Sequence, residues 1–109
     1  MATVCERLLD ILTEVGVEEI FGITGDALNS LVDAIRRDDS FRWVSVKHEE
    51  SGAFAAAAQA KFTGKLAVCA GTVGPGALHL LNGLYDAKRD RAPVLAITCL
   101  LYTSDAADE

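Results

Sequence analysis

The stretch "VSVKHEESGAFAAAA" (Val44 to Ala58) passes from an alternating apolar run, through a histidine and two carboxylates, into an almost pure alanine segment. Alternation at a period of two is the mark of a strand, and alanine is the strongest helix former. The stretch is therefore a strand that hands over to a helix, with His48, Glu49 and Glu50 at the junction.

The pattern repeats outward in both directions. "FRWVSVK" (Phe41 to Lys47) is the full strand, and "ESGAFAAAAQAKF" (Glu50 to Phe62) is the helix, ended near Gly64. Upstream, Thr3 with Glu6 matches a capping box, and Val4, Leu8, Ile11, Leu12 and Val15 share one helical face until Gly16 stops the helix. "EEIFGIT" (Glu18 to Thr24) is a short strand, and Gly25-Asp26 opens a helix carrying Leu28, Leu31, Val32 and Ile35. Downstream, "LAVCAG" (Leu66 to Gly71) is a strand, "GTVGPG" (Gly71 to Gly76) a turn, Ala77 to Lys88 a helix, and "PVLAIT" (Pro93 to Thr98) a last strand that forms an exposed edge. Apolar strands alternating with helices predict an open, doubly wound α/β fold with a parallel sheet covered on both faces.

A chain of 109 residues, half apolar and a quarter charged, bounds one globular domain. Its net charge of -6, with scattered basic residues, argues against nucleic acid as a partner. No apolar run approaches the roughly 20 residues that span a bilayer, and no basic-then-apolar leader follows Met1, so a cytoplasmic location is expected. Cys5, Cys69 and Cys99 lack CxxC or Cys/His spacing, which supports neither a zinc site nor a disulfide framework; buried reduced thiols are expected. "CLLYTSDAADE" (Cys99 to Glu109) follows a finished strand and resembles a translated sequencing adapter, so residues 1–98 are read as the domain, incomplete at its carboxyl end, and 99–109 as a non-native tail. The tail holds three of the 16 acids, which leaves 13 against 10 basic residues in 1–98, a balance near -3.

Ligands of such sheets sit beyond the carboxyl ends of the strands, where the loops at Ile23 to Asp26, His48 to Ser51 and Thr72 to Gly76 should cluster. A carboxylate there is partly desolvated, which raises its pKa and suits it to share a proton with a ligand nitrogen. Glu49 and Glu50 are equally first-turn acids favoured by the helix dipole, and His48 is equally a residue that holds the loop. In "GTVGPG", Gly74 and Gly76 permit close approach of backbone to a flat ring or an anion, although the turn is neither GxGxxG nor a P-loop.

In order, "FGITGDALNSLVDAI", "VKHEESGAFAAAAQAKFTGK", "VCAGTVGPGALHLLNGLYDA" and "APVLAIT" resemble the amino-terminal pyrimidine-binding domain of thiamine-diphosphate enzymes. "TGD" (Thr24 to Asp26), "HEE" (His48 to Glu50) and "HLLNGLYDA" (His79 to Ala87) are most similar to the group of pyruvate oxidase and quinone-linked pyruvate dehydrogenase. The resemblance implies a flavodoxin-like half of the cofactor-binding fold, with Glu49 as the catalytic residue that hydrogen-bonds the aminopyrimidine ring nitrogen and promotes the imino form that deprotonates the thiazolium. Glu50 is then only its neighbour. It further implies Ile23, Thr24 and Gly25 against the pyrimidine, and Thr72, Pro75 and His79 in the third loop. Val73 stands where relatives often carry Ser.

The implied reaction is oxidative decarboxylation of a 2-oxo acid, pyruvate, to acetate or acetyl phosphate with flavin. The alternatives are acetolactate synthesis, against which the Thr24-Gly25-Asp26 turn argues, non-oxidative decarboxylation of a 2-oxo acid, and a non-catalytic flavodoxin-like binding module. Thiamine diphosphate is the implied cofactor, with Mg2+ and FAD held by regions outside this chain and no metal ligands within it. The resemblance also implies a homo-oligomer joined at the cofactor site, a quinone acceptor with peripheral membrane attachment in a longer parent, and an inactive fragment.

Overall fold

Thr3 sets the start of the first helix. In the computed structural model, which describes residues 2–99, the Glu6 N–H donates to Thr3 Oγ1 at 3.2 Å while the Glu6 carboxylate accepts from the Thr3 N–H, the expected capping box of α1 (Val4–Glu14). Gly16 ends it at φ 94°, and the Gly16 and Val17 N–H groups donate to the carbonyls of Thr13 and Leu12 in a Schellman pair. There follow β1 (Glu19–Gly22), a 3-10 turn (Asp26–Leu28), α2 (Asn29–Arg36), β2 (Arg42–Ser45), α3 (Glu49–Thr63), β3 (Ala67–Gly71), α4 (Pro75–Leu78), α5 (Leu81–Arg89) and β4 (Val94–Thr98).

The strands form one parallel sheet in the order β2-β1-β3-β4. On one face Leu9 and Leu12 of α1 and Leu31 and Ile35 of α2 pack against Ile20, Val68 and Ala70. On the other, Ala53, Ala56 and Ala60 of α3 and Leu84 of α5 pack against Phe21, Ala67 and Cys69. This is the expected open, doubly wound α/β fold. The chain leaves β1 towards one face and β3, its neighbour, towards the other, so a crevice opens between their carboxyl ends.

Covering on both faces is complete only at the centre. β3 is buried at every position, whereas Arg42 and Ser45 of β2 and Leu95 and Thr98 of β4 are exposed, and among the described residues β4 pairs on one side only. The expected apolar face of α1 is also displaced. Val4 is 85% exposed and Ile11 and Val15 are exposed too, while Leu9 and Leu12 reach the core with Cys5 and Leu8 partly covered. The buried stripe keeps Leu8 and Leu12 but is rotated by roughly 65°, less than one residue of helix, from the stripe that spacing suggested. Of the thiols, Cys69 alone is buried, and burial pushes its pKa up to about 11; Cys5 is half-buried and Cys99 exposed, so the expectation of three buried thiols holds for one. The tail from residue 100 onward lies outside the described residues.

The helix expected over Ala77 to Lys88 is two helices. Pro75 starts α4 at its first position, as the turn chemistry favours, and the Leu80 N–H then reaches back three residues to the Ala77 carbonyl at 3.2 Å before α5 resumes. The tightened turn buries Leu80 fully and presses α5 onto α3. The fit there is close: a Cβ added at Gly83 would lie 2.3 Å from the Ala53 Cβ. Lys61 of α3 clasps Asp86 at 2.7 Å and Asp90 at 2.6 Å across the same seam. α5 ends in a second Schellman pair in which Arg91, at φ 55°, occupies the left-handed position usually given to glycine.

Gly83→Ala should therefore lower the unfolding free energy by about 1–3 kcal/mol in urea titrations, since the helices must part to admit the methyl group. Arg91→Gly should raise it by about 0.5–1 kcal/mol through relief of the left-handed strain.

Candidate functional site

The loops after β1 and β3 touch at the crevice. A Cβ at Gly25 would lie 2.7 Å from Thr72 Oγ1, so the first loop approaches the third only because glycine stands there. Thr72 Oγ1 is buried and has no hydrogen-bond partner. A buried hydroxyl without a partner costs about 1–3 kcal/mol, which marks the place as one that a ligand completes.

The second loop brings in the carboxylate. His48 is extended at φ -152°, and its Nδ1 accepts the Glu50 N–H at 3.1 Å, so it caps α3. Glu49, the first residue of α3, is 8% exposed. Its Oε1 lies 3.1 Å from His79 Nδ1, and its Oε2 faces Gly76, where an added Cβ would lie 3.1 Å from Oε2 and from Thr72 Cγ2. The His48 ring stacks on the His79 ring with centroids 4.4 Å apart. Glu50 points elsewhere, its Oε2 accepting from Asn82 Nδ2 of α5 at 2.7 Å. Two adjacent acids thus have different partners and surroundings, and only Glu49 enters the crevice.

Burial raises the Glu49 pKa, but hydrogen bonds from its own backbone N–H and from His79, with the charges of His79 and His48, outweigh it and the net shift is downward. The expected rise is thus corrected for this chain: the carboxylate is sheltered but well solvated by protein donors. The cluster stays open on its outer side, where His79 is 44% exposed. Pro75 and Thr24 are exposed on the rim and Ile23 is half-buried. Ile23, Thr24, Gly25, Glu49, Thr72, Pro75 and His79 therefore all lie on the loops and helix starts that border one crevice, with Glu49, His79 and Thr72 gathered around Gly76. A groove of about 530 Å³ between Thr13, Glu18, Asp39 and Arg42 lies at the opposite end of the sheet and holds none of these residues.

A sheltered carboxylate, an unsatisfied hydroxyl and a glycine-walled approach suit a flat, polar, nitrogen-containing ring such as an aminopyrimidine. Residues 2–107 match the family described as "Thiamine pyrophosphate enzyme, N-terminal TPP binding domain". The chain belongs to this family. Among proteins similar to this TPP-binding domain are an uncharacterized 42.6 kDa protein of Pseudomonas amyloderamosa, 54% identical over 84% of the chain, the pyruvate oxidase of Lactiplantibacillus plantarum, 50% identical over 83%, and the acetolactate synthase large subunit of Parasynechococcus marenigrum, 44% identical over 84%. The chain spans 24%, 15% and 15% of their respective lengths.

Three features of this TPP-binding domain escaped the sequence reading: the His48–His79 stack, the placement of Gly76 under Glu49, and the Asn82 bond that turns Glu50 aside. No local signal pointed to them, because each joins residues about 27 to 32 positions apart in the chain.

A group whose folded pKa is depressed adds stability that is present above its unfolded value, here 4.5, and lost as pH falls through the folded value. The resistance of the chain to urea should accordingly fall as pH is lowered below about 4.5, and that slope should be shallower in Glu49→Gln, which has no carboxylate to protonate.

Proposed function

We propose that the chain is the pyrimidine-binding part of a thiamine-diphosphate enzyme that oxidatively decarboxylates pyruvate or a close 2-oxo acid. The observation that carries this reading is the sheltered Glu49 carboxylate at the switch point of the sheet, fixed by His79 and set beside the unpartnered Thr72 hydroxyl. Thiamine diphosphate, when bound, would supply a nucleophilic carbon and a sink for the electron pair left behind as carbon dioxide departs.

The chain's own residues would do the rest. Glu49 holds a proton between its carboxylate and the ring nitrogen of the pyrimidine, His79 keeps Oε1 in place so that Oε2 is free to turn to the ring, and Thr72 offers its hydroxyl to a polar edge. Gly25 and Gly76 keep the walls flat, with Ile23, Thr24 and Pro75 at the margins. In this reading Mg2+ and FAD are held by parts of a longer protein, consistent with the small share of its relatives that the chain spans. An apolar band of Phe54, Leu78, Leu81 and Tyr85 is exposed on the helices beside the open crevice. Such a band suits a second copy that closes the cofactor site. Quinone reduction at a membrane surface, with the enzyme otherwise cytoplasmic, extends the same proposal.

Acetolactate synthesis is the second reading, favoured by the 44% identity to a synthase subunit. The longer parent protein separates the two: pyruvate-dependent reduction of an artificial electron acceptor supports the oxidase, and acetolactate as sole product supports the synthase. In the same protein Glu49→Gln should cut turnover by about 100-fold or more. Unchanged turnover would mean a binding module rather than a catalytic domain.

A further inference from the structure

The two histidines of the chain are both in the crevice, and with Glu49 they form a cluster whose donor atoms lie within 4.8 Å of one another. We infer that His48, Glu49 and His79 form a binding site for a borderline divalent transition metal, of the class of Zn2+ or Co2+, in the chain without cofactor. This goes beyond the proposed enzyme role and does not depend on it.

The geometry is near that of a coordination sphere. Two bonds of about 2.1 Å at a right angle or a tetrahedral angle place their donors about 3.0–3.4 Å apart. Glu49 Oε1 and His79 Nδ1 already stand at 3.1 Å. The His48 and His79 rings are stacked, with centroids 4.4 Å apart and planes 29° from parallel, so both imidazoles stand at the carboxylate, and one ring turns out of the stack for both in-plane lone pairs to meet at one ion. Two imidazoles and one carboxylate are the donor set of zinc-binding and facial-triad sites, which leave further positions open to water. The exposure of His79 gives an ion access from solvent.

Two costs are visible. His48 Nδ1 caps α3, so if that lone pair, or the tautomer that leaves it free, is diverted to a metal, the cap is surrendered at about 1 kcal/mol. The amino end of α3 also disfavours a cation, which the charges of Glu49 and Glu50 offset. The same cap supplies the discriminating variant: asparagine caps a helix as well as histidine does but lacks the imidazole.

The experiment titrates the tag-free 109-residue chain with Co2+, followed by visible absorption, and with Zn2+, followed by calorimetry. The expected result is one equivalent bound, with a Co2+ spectrum free of thiolate charge-transfer absorption. Affinity should fall at least about tenfold in His48→Asn, His79→Gln and Glu49→Gln alike, with helical circular dichroism retained, and should be unchanged in Asp10→Asn. The absence of stoichiometric binding, a thiolate spectrum that points to cysteines, or affinity undiminished from that of the unaltered chain in either His48→Asn or His79→Gln would each overturn the proposal.

Discussion

Everything at the functional rim follows from the adjacency of β1 and β3 in a parallel sheet. The two strands pair through Ile20 to Gly22 and Val68 to Ala70, yet their chains depart to opposite faces. Parallel pairing fixes both carboxyl ends at the same level, and the opposed departures leave a gap that neither loop fills. α3, which returns from β2 on the second face, then delivers its amino end to the side of that gap. A carboxylate at the first position of α3 has little choice of place, and its burial is a result of topology before it is a result of chemistry.

Much of this was legible in the residues. Strand order, the capping box at Thr3 and the stops at Gly16 and Gly64 are local signals, written in a few side chains each, and the structure carries them all. What spacing could not supply was which of two overlapping apolar stripes on α1 meets the sheet. Val4, Ile11 and Val15 have the right period, but Leu9 and Leu12 lie over Ile20 and Val68, and that choice is made by the sheet. The break at His79 and Leu80 was hidden for the same reason: no residue there opposes helix, and the turn tightens so that Leu80 can be buried.

The site shows the same division. Glu49 and Glu50 are indistinguishable as first-turn acids, and a family resemblance was needed to separate them on the page of the sequence. In three dimensions the separation is physical, since Asn82 of α5 takes Glu50 and His79 takes Glu49. The expected upward shift of the Glu49 pKa failed because desolvation was weighed without the donors that accompany it. A carboxylate enclosed by N–H groups and imidazoles is buried with its solvation replaced, not removed.

The contact of Ala53 with Gly83 has a consequence for precision. Neither residue possesses a rotamer, so the spacing of α3 and α5 carries no average over side-chain states. Glu49 and Glu50 ride on the first of these helices, and Asn82 on the second, just beyond His79. The distance between the helix that carries the carboxylate and the helix that follows the imidazole is therefore gauged by backbone against backbone.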